Sequence, residues 1–248
     1  MERWALVSGA TSGIGWSTAL ALAQDGFSIL ATGRRPERLA DLKSKIESSG
    51  QKMIGAVLDV RDAAAVQALA NEHARLPIEI LVNNAGLARG VEKFQDAKLE
   101  DWDQMFDTNV KGLLAMTRAF LPKMLDRKKG HVINIGSVAG KWVYPGGAVY
   151  CATKFAVRAL SEGLRLDLLG SPIRVTNIEP GMVETEFSKV RFGDEDRAKS
   201  VYKGLKPLTA EDIAECVVWS ARRPAHVNIQ EMVIFPTAQA SVRDVWRE

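Results

Sequence analysis

The sequence has few of the residues that build disulfide frameworks and metal sites. Its 248 residues include two cysteines, Cys151 and Cys216, and three histidines that lie far apart in the chain. Two cysteines cannot supply the several bridges of a small secreted protein, and the scattered histidines do not have the spacing of a metal-ligand set. We therefore expect neither a disulfide framework nor a bound metal.

The sequence also has no large excess of charge of one sign and no long apolar run. There are 33 basic and 30 acidic residues, a balance that does not favour a nucleic-acid partner. No apolar run reaches the ~18 residues that a membrane span needs, and the opening Met1-Glu2-Arg3-Trp4 is unlike a signal peptide. We expect a cytoplasmic protein that binds neither membranes nor nucleic acid.

Apolar runs typical of strands alternate with helical patterns along the whole chain, which favours a parallel sheet with right-handed crossovers. The predicted strands are 4–7, 27–32, 53–58, 78–82, 131–135, 173–178 and 231–235. The predicted helices are 15–24, 35–48, 63–74, 99–127 with a bend near Asn109, 147–169 and 211–221. No compositional break or repeat divides the sequence. We expect a single doubly wound α/β domain of the Rossmann type over residues 1–248, with seven parallel strands and a lid-like insert at about 184–206.

A glycine-rich turn follows the first predicted strand. The residues of this turn that we expect to contact a cofactor are Gly9, Thr11, Ser12, Gly13, Ile14 and Gly15. Glycines let the backbone turn tightly and approach a pyrophosphate at the N-terminus of the following helix. A tight turn without a ligand would use the same residues, but the position after the first strand of a β-α-β unit favours dinucleotide binding.

Two arginines, Arg34 and Arg35, follow the second predicted strand. NAD sites often have an acidic residue at this point to hold the ribose hydroxyls, whereas a guanidinium group suits a phosphate. The pair predicts NADP as the cofactor, although a solvated helix start would look similar. Asp59 and Val60 follow the third strand, where they could contact an adenine edge; Asp59 could instead cap a turn.

Tyr150 and Lys154 lie four residues apart in a predicted helix, and Ser137 follows the fifth predicted strand. On a helix this spacing places the tyrosine and lysine on one face. A nearby cation lowers the pKa of a phenol, which would let Tyr150 give or take a proton near neutral pH. The same spacing also occurs by chance, and Ser137 could be a turn serine or could hydrogen-bond a substrate oxygen.

The order of these motifs resembles the short-chain dehydrogenase/reductase family. The resemblance covers the chain from Ala5 to about Pro236. It rests on the glycine turn, Asn83-Asn84-Ala85-Gly86, Asn109, Ser137, Tyr150-x-x-x-Lys154 and Pro180-Gly181, in that order. The Asn-Asn-Ala-Gly segment ends the fourth predicted strand; it could be a plain polar turn, but its place beside the crevice of a doubly wound sheet favours cofactor contacts from Asn83, Ala85 and Gly86.

The resemblance implies a role for each catalytic residue. Tyr150 would be the general acid/base, Lys154 would lower its pKa and bind the nicotinamide ribose, and Ser137 would orient the substrate oxygen. Asn109 would hold a water in a proton relay, although it could instead be a polar residue that bends a helix. The segment 180–188 would cover the nicotinamide and pyrophosphate, and the cofactor contacts expected there come from Pro180, Gly181, Val183 and Thr185.

A narrower resemblance links the chain to NADP-dependent 3-hydroxy acid dehydrogenases, a subgroup similar to serine and L-allo-threonine dehydrogenases. It rests on the segments 83–88, 100–102, 135–137, 179–181, 186–192 and 224–229. A 3-hydroxy acid brings a carboxylate, which needs a cation near the lid. We expect Arg191 to bind it through paired hydrogen bonds, with Arg89 and Lys189 as alternatives; Arg191 could also be a solvated charge.

Two other functions stay open from the sequence. The chain could reduce another carbonyl, such as a cyclic ketone, a 3-ketoacyl thioester or a pterin side chain, or it could bind NADP and regulate a partner without turnover. The segments 113–125 and 155–169 carry more apolar residues than one helix face needs, which predicts a homo-oligomer, a dimer or tetramer. The family resemblance implies the same, and deep helices in a large monomer are the alternative.

Overall fold

The computed structural model describes residues 2–248 and contains a seven-stranded sheet in the order β3-β2-β1-β4-β5-β6-β7. Every neighbouring pair in this order is parallel. The strands are β1 Trp4–Val7, β2 Ser28–Gly33, β3 Met53–Val57, β4 Ile78–Asn83, β5 Gly130–Ile135, β6 Ile173–Pro180 and β7 Glu231–Ile234. The chain builds outward in one direction from β1 to β3 and in the other from β4 to β7. The predicted parallel, doubly wound α/β fold is confirmed, and its strand order reverses between β1 and β4.

Nine α-helices connect and cover the strands within the described residues. They are α1 Gly13–Gln24, α2 Pro36–Ser48, α3 Ala63–Glu72, α4 Leu99–Phe106, α5 Leu113–Asp126, α6 Ala148–Asp167, α7 Glu186–Phe192, α8 Glu195–Ser200 and α9 Ala210–Ala221. A π-helical turn, Asp107–Gly112, joins α4 to α5 and contains Asn109. The bend that the sequence predicts near Asn109 is therefore a π-helical turn, in which the backbone pairs five residues apart.

Short polar motifs fix where several helices begin. Asp62 accepts a hydrogen bond from the Ala65 amide at 2.9 Å at the start of α3. At α9, the Asp212 amide donates to Thr209 Oγ1 at 3.2 Å, and the Thr209 amide donates to Asp212 Oδ2 at 2.8 Å. These bonds satisfy amides that have no partner inside the helix. Asp and Thr are among the residue types that favour the position before the first turn of a helix.

The core lies on both faces of the sheet, because alternate residues of a strand point to opposite faces. Ala5 and Val7 of β1 belong to the cluster that packs against α1, α2 and α9. Trp4 and Leu6 belong to the cluster that packs against α3 and α5. All four β1 residues are buried, which explains why the strand reads as an apolar run and not as an alternating pattern.

The polar insert contains the two short helices α7 and α8. Thr185 caps α7 by accepting from the Phe187 amide at 3.2 Å, and Asp194 caps α8 by accepting from the Arg197 amide at 2.8 Å. Gly193, with φ of 63°, ends α7 in the left-handed conformation that glycine adopts easily. Across residues 2–248, no helix is long and apolar enough to cross a membrane, and no group of acidic, histidine or cysteine side chains is placed to hold a metal.

Candidate active site

A cleft of about 360 Å³ opens at the carboxyl ends of the strands, beside the point where the strand order reverses. Doubly wound sheets bind ligands at this position. The predicted site residues that line it are Gly9, Thr11, Ser12, Gly13, Ile14, Arg34, Arg35, Asp59, Val60, Ala85, Gly86, Ser137, Tyr150, Lys154, Pro180, Val183 and Thr185. Gly15, Asn83, Asn109, Gly181 and Arg191 do not line it. The structure thus brings most of the predicted residues together around one cavity.

The glycine loop, residues 9–15, forms one wall of what we name the cofactor half of the cleft. Gly9 and Gly13 have φ of 65° and 51°, which side-chain-bearing residues rarely adopt. A Cβ on Gly9 would lie 2.9 Å from Ala85 Cα, and one on Gly13 would lie 3.1 Å from Thr185 Cβ. The Ser12 side chain makes no capping bond to α1, so the amides at this helix end remain available to a ligand. The cradle fits a pyrophosphate group.

Two of the predicted cofactor residues have structural roles outside the cleft lining. Gly15 is buried in α1 and packs against Gly9 and Asn84 so closely that a side chain would not fit. Asn83 is buried, and its Nδ2 donates to Asn134 Oδ1 at 2.8 Å and to Thr117 Oγ1 at 2.9 Å. The next residue, Asn84, lines the cleft instead. Asn84 Nδ2 donates to the Gly9 carbonyl at 3.1 Å and so fixes the glycine loop.

Arg34, Arg35 and Asp59 stand at the outer end of the cofactor half. Arg34 is exposed and makes no side-chain hydrogen bond or ion pair with any residue between 2 and 248. Arg35 Nη2 donates to the Thr11 carbonyl at 3.1 Å, and its Nη1 donates to Glu186 Oε2 at 2.9 Å. Hydrogen bonds from Arg61 lower the pKa of Asp59. The group carries a net positive charge next to the glycine loop, as a phosphate-bearing cofactor requires.

Ser137, Tyr150 and Lys154 surround the other end, which we name the catalytic half. Ser137 follows β5, and its Oγ accepts from the Ala139 amide at 3.1 Å. Tyr150 and Lys154 lie one turn apart on α6, with Lys154 Nζ 5.9 Å from the centre of the Tyr150 ring. Lys154 Nζ donates to the Ile135 carbonyl at 2.9 Å. The three side chains can therefore meet one substrate oxygen and one cofactor at a single place.

Burial controls the protonation of this group. Burial raises the pKa of the Tyr150 phenol, and Tyr144 raises it further, while a hydrogen bond with Ser137 and the Arg191 charge lower it. Burial also lowers the pKa of Lys154 to about 8. The expected lowering of the Tyr150 pKa by Lys154 stays a prediction, because burial is the largest influence on the pKa of both groups in this structure. Tyr150 is therefore a neutral phenol at pH 7 and can donate its proton.

Asn109 lies in the π-helical turn behind the catalytic half and is buried. Its Oδ1 accepts from the Leu87 amide at 2.8 Å, and its Nδ2 donates to the Leu87 carbonyl at 2.8 Å and to Thr153 Oγ1 at 3.0 Å. A Cβ on Gly86 would lie 3.3 Å from Asn109 Oδ1 and 3.7 Å from Lys154 Nζ. Asn109 thus ties the π turn to the segment that follows β4, and its predicted relay role stays a prediction.

Helix α7 covers the catalytic half and contributes residues that the sequence interpretation missed. Phe187 packs on Tyr150 with ring centres 5.6 Å apart. Arg191 Nη1 donates to the Tyr144 hydroxyl at 2.9 Å and its Nε to the Gly90 carbonyl at 3.1 Å. The Arg191 guanidinium lies 5.9 Å from the Tyr150 ring. Phe187 lies in the segment 186–192 that carries the narrower resemblance, and Tyr144 lies in no motif. Neither is singled out by the sequence, because the contacts of Phe187 with Tyr150 and of Tyr144 with Arg191 join residues far apart in the chain.

The two alternative cations for a substrate carboxylate have other partners. Arg89 Nη1 donates to the Val190 carbonyl at 3.1 Å, and Lys189 lies 3.5 Å from Glu195 in an exposed ion pair. Of the three cations that the sequence offers, Arg191 has its charge beside Tyr150.

Gly181, which the sequence also predicts to contact the cofactor, donates a hydrogen bond from its amide to the Ile234 carbonyl at 2.7 Å.

Comparisons with known proteins agree with this geometry. A family model described as short chain dehydrogenase matches residues 3–196. The chain is 50% identical over 242 residues, 95% of each protein, to the NADP-dependent 3-hydroxy acid dehydrogenase YdfG of Escherichia coli (strain K12). It is 46% identical to sulfoacetaldehyde reductase 2 of Chromohalobacter salexigens, covering 97% of this chain and 96% of the relative.

A solved structure is similar over almost the full length. It is the closed form of a serine dehydrogenase complexed with NADP+, with a TM-score of 0.91, 49% sequence identity and coverage of 99% of this chain and 100% of that one. The match over residues 3–196 exceeds half of the chain and includes the glycine loop, Ser137, Tyr150 and Lys154. The chain therefore belongs to the short chain dehydrogenase family.

Proposed function

We infer that the chain is an NADP-dependent oxidoreductase that transfers a hydride between the nicotinamide and a small 3-hydroxy acid or its carbonyl form. The observation that carries this inference is one continuous cleft with Arg34 and the glycine loop at one end and Ser137, Tyr150 and Lys154 at the other. The 50% identity to an NADP-dependent 3-hydroxy acid dehydrogenase supports both the cofactor and the substrate class.

Residues along the cofactor half would hold NADP. The glycine loop and the first amides of α1 suit the pyrophosphate, and Arg34 with Arg35 suits the additional phosphate that distinguishes NADP from NAD. Val60 and Asp59 line the part of the cleft that suits the adenine, and Pro180, Val183 and Thr185 also line the cleft. When bound, the cofactor supplies or accepts the hydride.

Tyr150 would move the proton that accompanies this transfer. As a neutral phenol it is ready to protonate a carbonyl oxygen in the direction of reduction, and Ser137 would hold that oxygen through its hydroxyl. Lys154 would keep its position by donating to the Ile135 carbonyl, and its ammonium would interact with the cofactor ribose. We assign Asn109 to a water relay behind Lys154, which its closeness to the Gly86 segment supports.

Arg191 would recognise the acid group of the substrate. Its guanidinium lies beside Tyr150 and is held by the Tyr144 hydroxyl. A carboxylate near this guanidinium would receive a charge-assisted hydrogen bond, and Tyr144 could add a second from its own hydroxyl proton. This arrangement favours substrates that combine a short carbon chain, one acid group and one reacting oxygen.

A second candidate function is the reduction of a small aldehyde that carries a sulfonate. It is favoured by the 46% identity to a sulfoacetaldehyde reductase and by the same Arg191 charge, since guanidinium binds planar carboxylates and other oxyanions. The two candidates share a hydroxyl or carbonyl next to an acidic head group, so they differ mainly in the size of that group.

A substrate panel followed by nicotinamide absorbance tests the proposal. Serine, L-allo-threonine and 3-hydroxyisobutyrate would be offered with NADP+, and sulfoacetaldehyde with NADPH, each beside an uncharged alcohol or aldehyde of equal length. We expect the 3-hydroxy acids to react with the highest kcat/KM and the uncharged compounds to react poorly. A clear preference for uncharged ketones would contradict the substrate class, and equal efficiency with NAD would contradict the cofactor assignment.

We also propose that the chain assembles with copies of itself as a dimer or tetramer. Leu114 and Leu125 of α5 and Phe155 and Leu166 of α6 are exposed apolar side chains, and Leu169, just after α6, is 88% exposed. Apolar side chains in these numbers on two consecutive helices favour a second copy of the chain that covers them. Light scattering at micromolar concentration should give a mass of two or four chains, and a mass of one chain would refute the assembly.

A further inference from the structure

Helix α7 is the element that connects the two halves of the cleft. Its first residue, Glu186, accepts a hydrogen bond from Arg35 Nη1 at 2.9 Å, across the mouth of the cofactor half. The residue before it, Thr185, packs against Gly13 of the glycine loop. At its other end, Arg191 is bound to the Gly90 carbonyl and the Tyr144 hydroxyl in the catalytic half.

The Arg35 guanidinium is fixed on the cofactor side. Its Nη2 donates to the Thr11 carbonyl at 3.1 Å and to Thr11 Oγ1 at 3.4 Å, so that one face of the group follows the glycine loop. Its Nε also donates to Thr11 Oγ1 at 3.4 Å, and its Nη1 donates to Glu186 Oε2. Arg34 lies beside it with no protein partner between residues 2 and 248. A phosphate at this position therefore contacts an unpaired Arg34 side chain and an Arg35 side chain that is already paired with Glu186.

A short helix that is held at both ends transmits a displacement from one end to the other. Phe187 directly follows Glu186 in the chain. If the Glu186 end of α7 moves away from the glycine loop, Phe187 therefore loses its packing against the Tyr150 ring. The Arg35–Glu186 ion pair and the packing of Phe187 on the Tyr150 ring therefore belong to one packed unit. No other ion pair among the described residues joins α7 to the glycine loop or to the segment between β2 and α2.

We propose that Glu186 is a positioning residue that holds α7 closed over the cleft through its ion pair with Arg35, and so couples the cofactor-phosphate end of the site to the packing of Phe187 and Arg191 on Tyr150. This inference rests on the proposed hydroxy acid oxidoreductase function. In this proposal Arg35 both binds the cofactor phosphate and helps to hold α7 closed. Arg34 then acts on the cofactor phosphate alone.

The expected effect is small, because both side chains of the pair are partly hydrated, at 39% and 47% exposed. Exposed ion pairs change an equilibrium by up to about fivefold. Glu186→Gln keeps the size of the side chain and removes its charge. Glu184→Gln is the matched control, since Glu184 is an exposed carboxylate two residues earlier that makes no ion pair with residues 2–248.

The first test needs no cofactor and no turnover. Amide hydrogen exchange would be measured over α7, residues 186–192, in the free protein and in the variants Glu186→Gln, Arg35→Met and Glu184→Gln. We expect exchange in α7 to become about threefold faster in the first two variants, and unchanged in Glu184→Gln. Equal exchange in all four proteins would overturn the proposal, because α7 would then not depend on the ion pair.

The second test separates positioning from a general loss of structure. With saturating NADP+, Glu186→Gln should raise the KM for the hydroxy acid about threefold and leave kcat within about twofold, since the pair acts on closure and not on proton transfer. Adding Glu186→Gln to Arg35→Met should change KM by less than about 1.5-fold, because the partner is already absent. Near 1 M salt, where the Debye length is ~3 Å, the difference between Glu186→Gln and the unchanged protein should shrink.

The coupling would be overturned if the effects of Glu186→Gln and Arg35→Met on KM were additive. It would also be overturned if kcat in Glu186→Gln fell as much as KM rises. These outcomes are distinct from failure of the proposed function, which is judged on the unchanged protein alone. If the unchanged protein does not turn over hydroxy acids, the exchange measurement on the free protein still decides whether the Arg35–Glu186 pair holds α7.

Discussion

The two halves of the cleft use different physical means. The cofactor half relies on backbone conformation, at Gly9 and Gly13, and on charges that remain in contact with water, at Arg34. The catalytic half relies on buried side chains, and Tyr150 and Lys154 are 9% and 7% exposed. Hydrated charges contribute moderate, salt-dependent affinity, whereas burial shifts the pKa values of the groups in the catalytic half.

This difference indicates what a substitution in each half should change. In the catalytic half, removal of a hydroxyl should alter the rate of the chemical step and leave cofactor affinity in place. In the cofactor half, removal of a charge should alter which cofactor binds and leave the chemical step in place. The four predictions below test that separation, from the largest expected effect to the smallest.

The largest effect should follow Tyr150→Phe, which removes the phenolic proton and keeps the ring against Phe187. A general acid/base contributes typically about 10²- to 10⁴-fold, so kcat should fall by at least about 100-fold while the dissociation constant for NADP+ stays within about threefold. Single-turnover kinetics and calorimetry measure the two quantities. Tyr202→Phe is the control, since it removes a partly buried hydroxyl that is bonded to Ser188 and to the Val183 carbonyl, outside the reacting centre. Near-normal turnover in Tyr150→Phe would exclude the assigned role.

The next effect should follow Arg34→Asp in the cofactor half. Loss of a charge-assisted bond to phosphate costs about 1.5–3 kcal/mol, so NADP+ affinity should fall about 10- to 150-fold while NAD+ affinity changes little. Calorimetric titration of both cofactors gives the ratio. Arg223→Met is a matched control, because this arginine lies over Trp219 and away from the cleft. If the affinities for NADP+ and NAD+ fall together, Arg34 does not bind the additional phosphate of NADP+.

A smaller effect should follow Arg191→Met, which tests whether the catalytic half also reads substrate charge. We expect kcat/KM for serine or 3-hydroxyisobutyrate to fall at least about tenfold, as expected for the loss of one charge-assisted hydrogen bond, with little change for an uncharged alcohol. Lys189→Met, on the same helix but paired with Glu195, should have little effect on either. A uniform loss on acids and alcohols would show that Arg191 supports the fold of α7 and not recognition.

The smallest effect concerns stability and pH. Burial lowers the pKa of Lys154 in the folded chain to about 8, below the ordinary value of about 10.4 for lysine in an unfolded chain. The unfolded chain therefore binds more protons between about pH 8 and pH 10, and the free energy of unfolding rises with pH in that window.

Relative to Lys154→Met, the unchanged protein should gain about 1 kcal/mol of unfolding free energy between about pH 7 and pH 9, because one pKa unit corresponds to about 1.4 kcal/mol. Urea denaturation at several pH values gives both curves, and groups common to the two proteins cancel in the difference. Parallel curves would mean that the folded Lys154 keeps an ordinary pKa.

Much of the fold and the cofactor half follows from the sequence, because the signals there are local. A strand, a glycine loop and a helix are consecutive in the chain, and caps such as Thr209 act on residues three positions away. The family prediction is confirmed by the family match and by the 50% identical relative. The seven strands and their parallel arrangement are predicted because each is a short apolar run between helices.

The catalytic half is only partly predictable, because its contacts join residues far apart in the chain. Tyr144 and Arg191 are bonded across the fold, and no spacing rule connects them. Whether Asn83 or Asn84 lines the cleft depends on which side of the sheet each side chain faces at the end of β4. A shift of one residue reverses that side. The pKa of Tyr150 depends on burial, and sequence spacing alone indicates only that Lys154 is near.

The π-helical turn at Asp107–Gly112 also bears on how this chain tolerates changes of length. Each residue of an α-helix turns the chain by about 100°. A π-helical turn holds one residue more than an α-helical turn, so deleting one residue from it would restore ordinary α-helical pairing and leave α5 nearly in place relative to α4. Met116 and Phe120 would stay buried against the sheet, but Asn109 would leave the Leu87 backbone. A single missing codon here would therefore spare the core and disturb the active site, whereas the same loss inside α5 would turn the buried face of that helix away from the sheet.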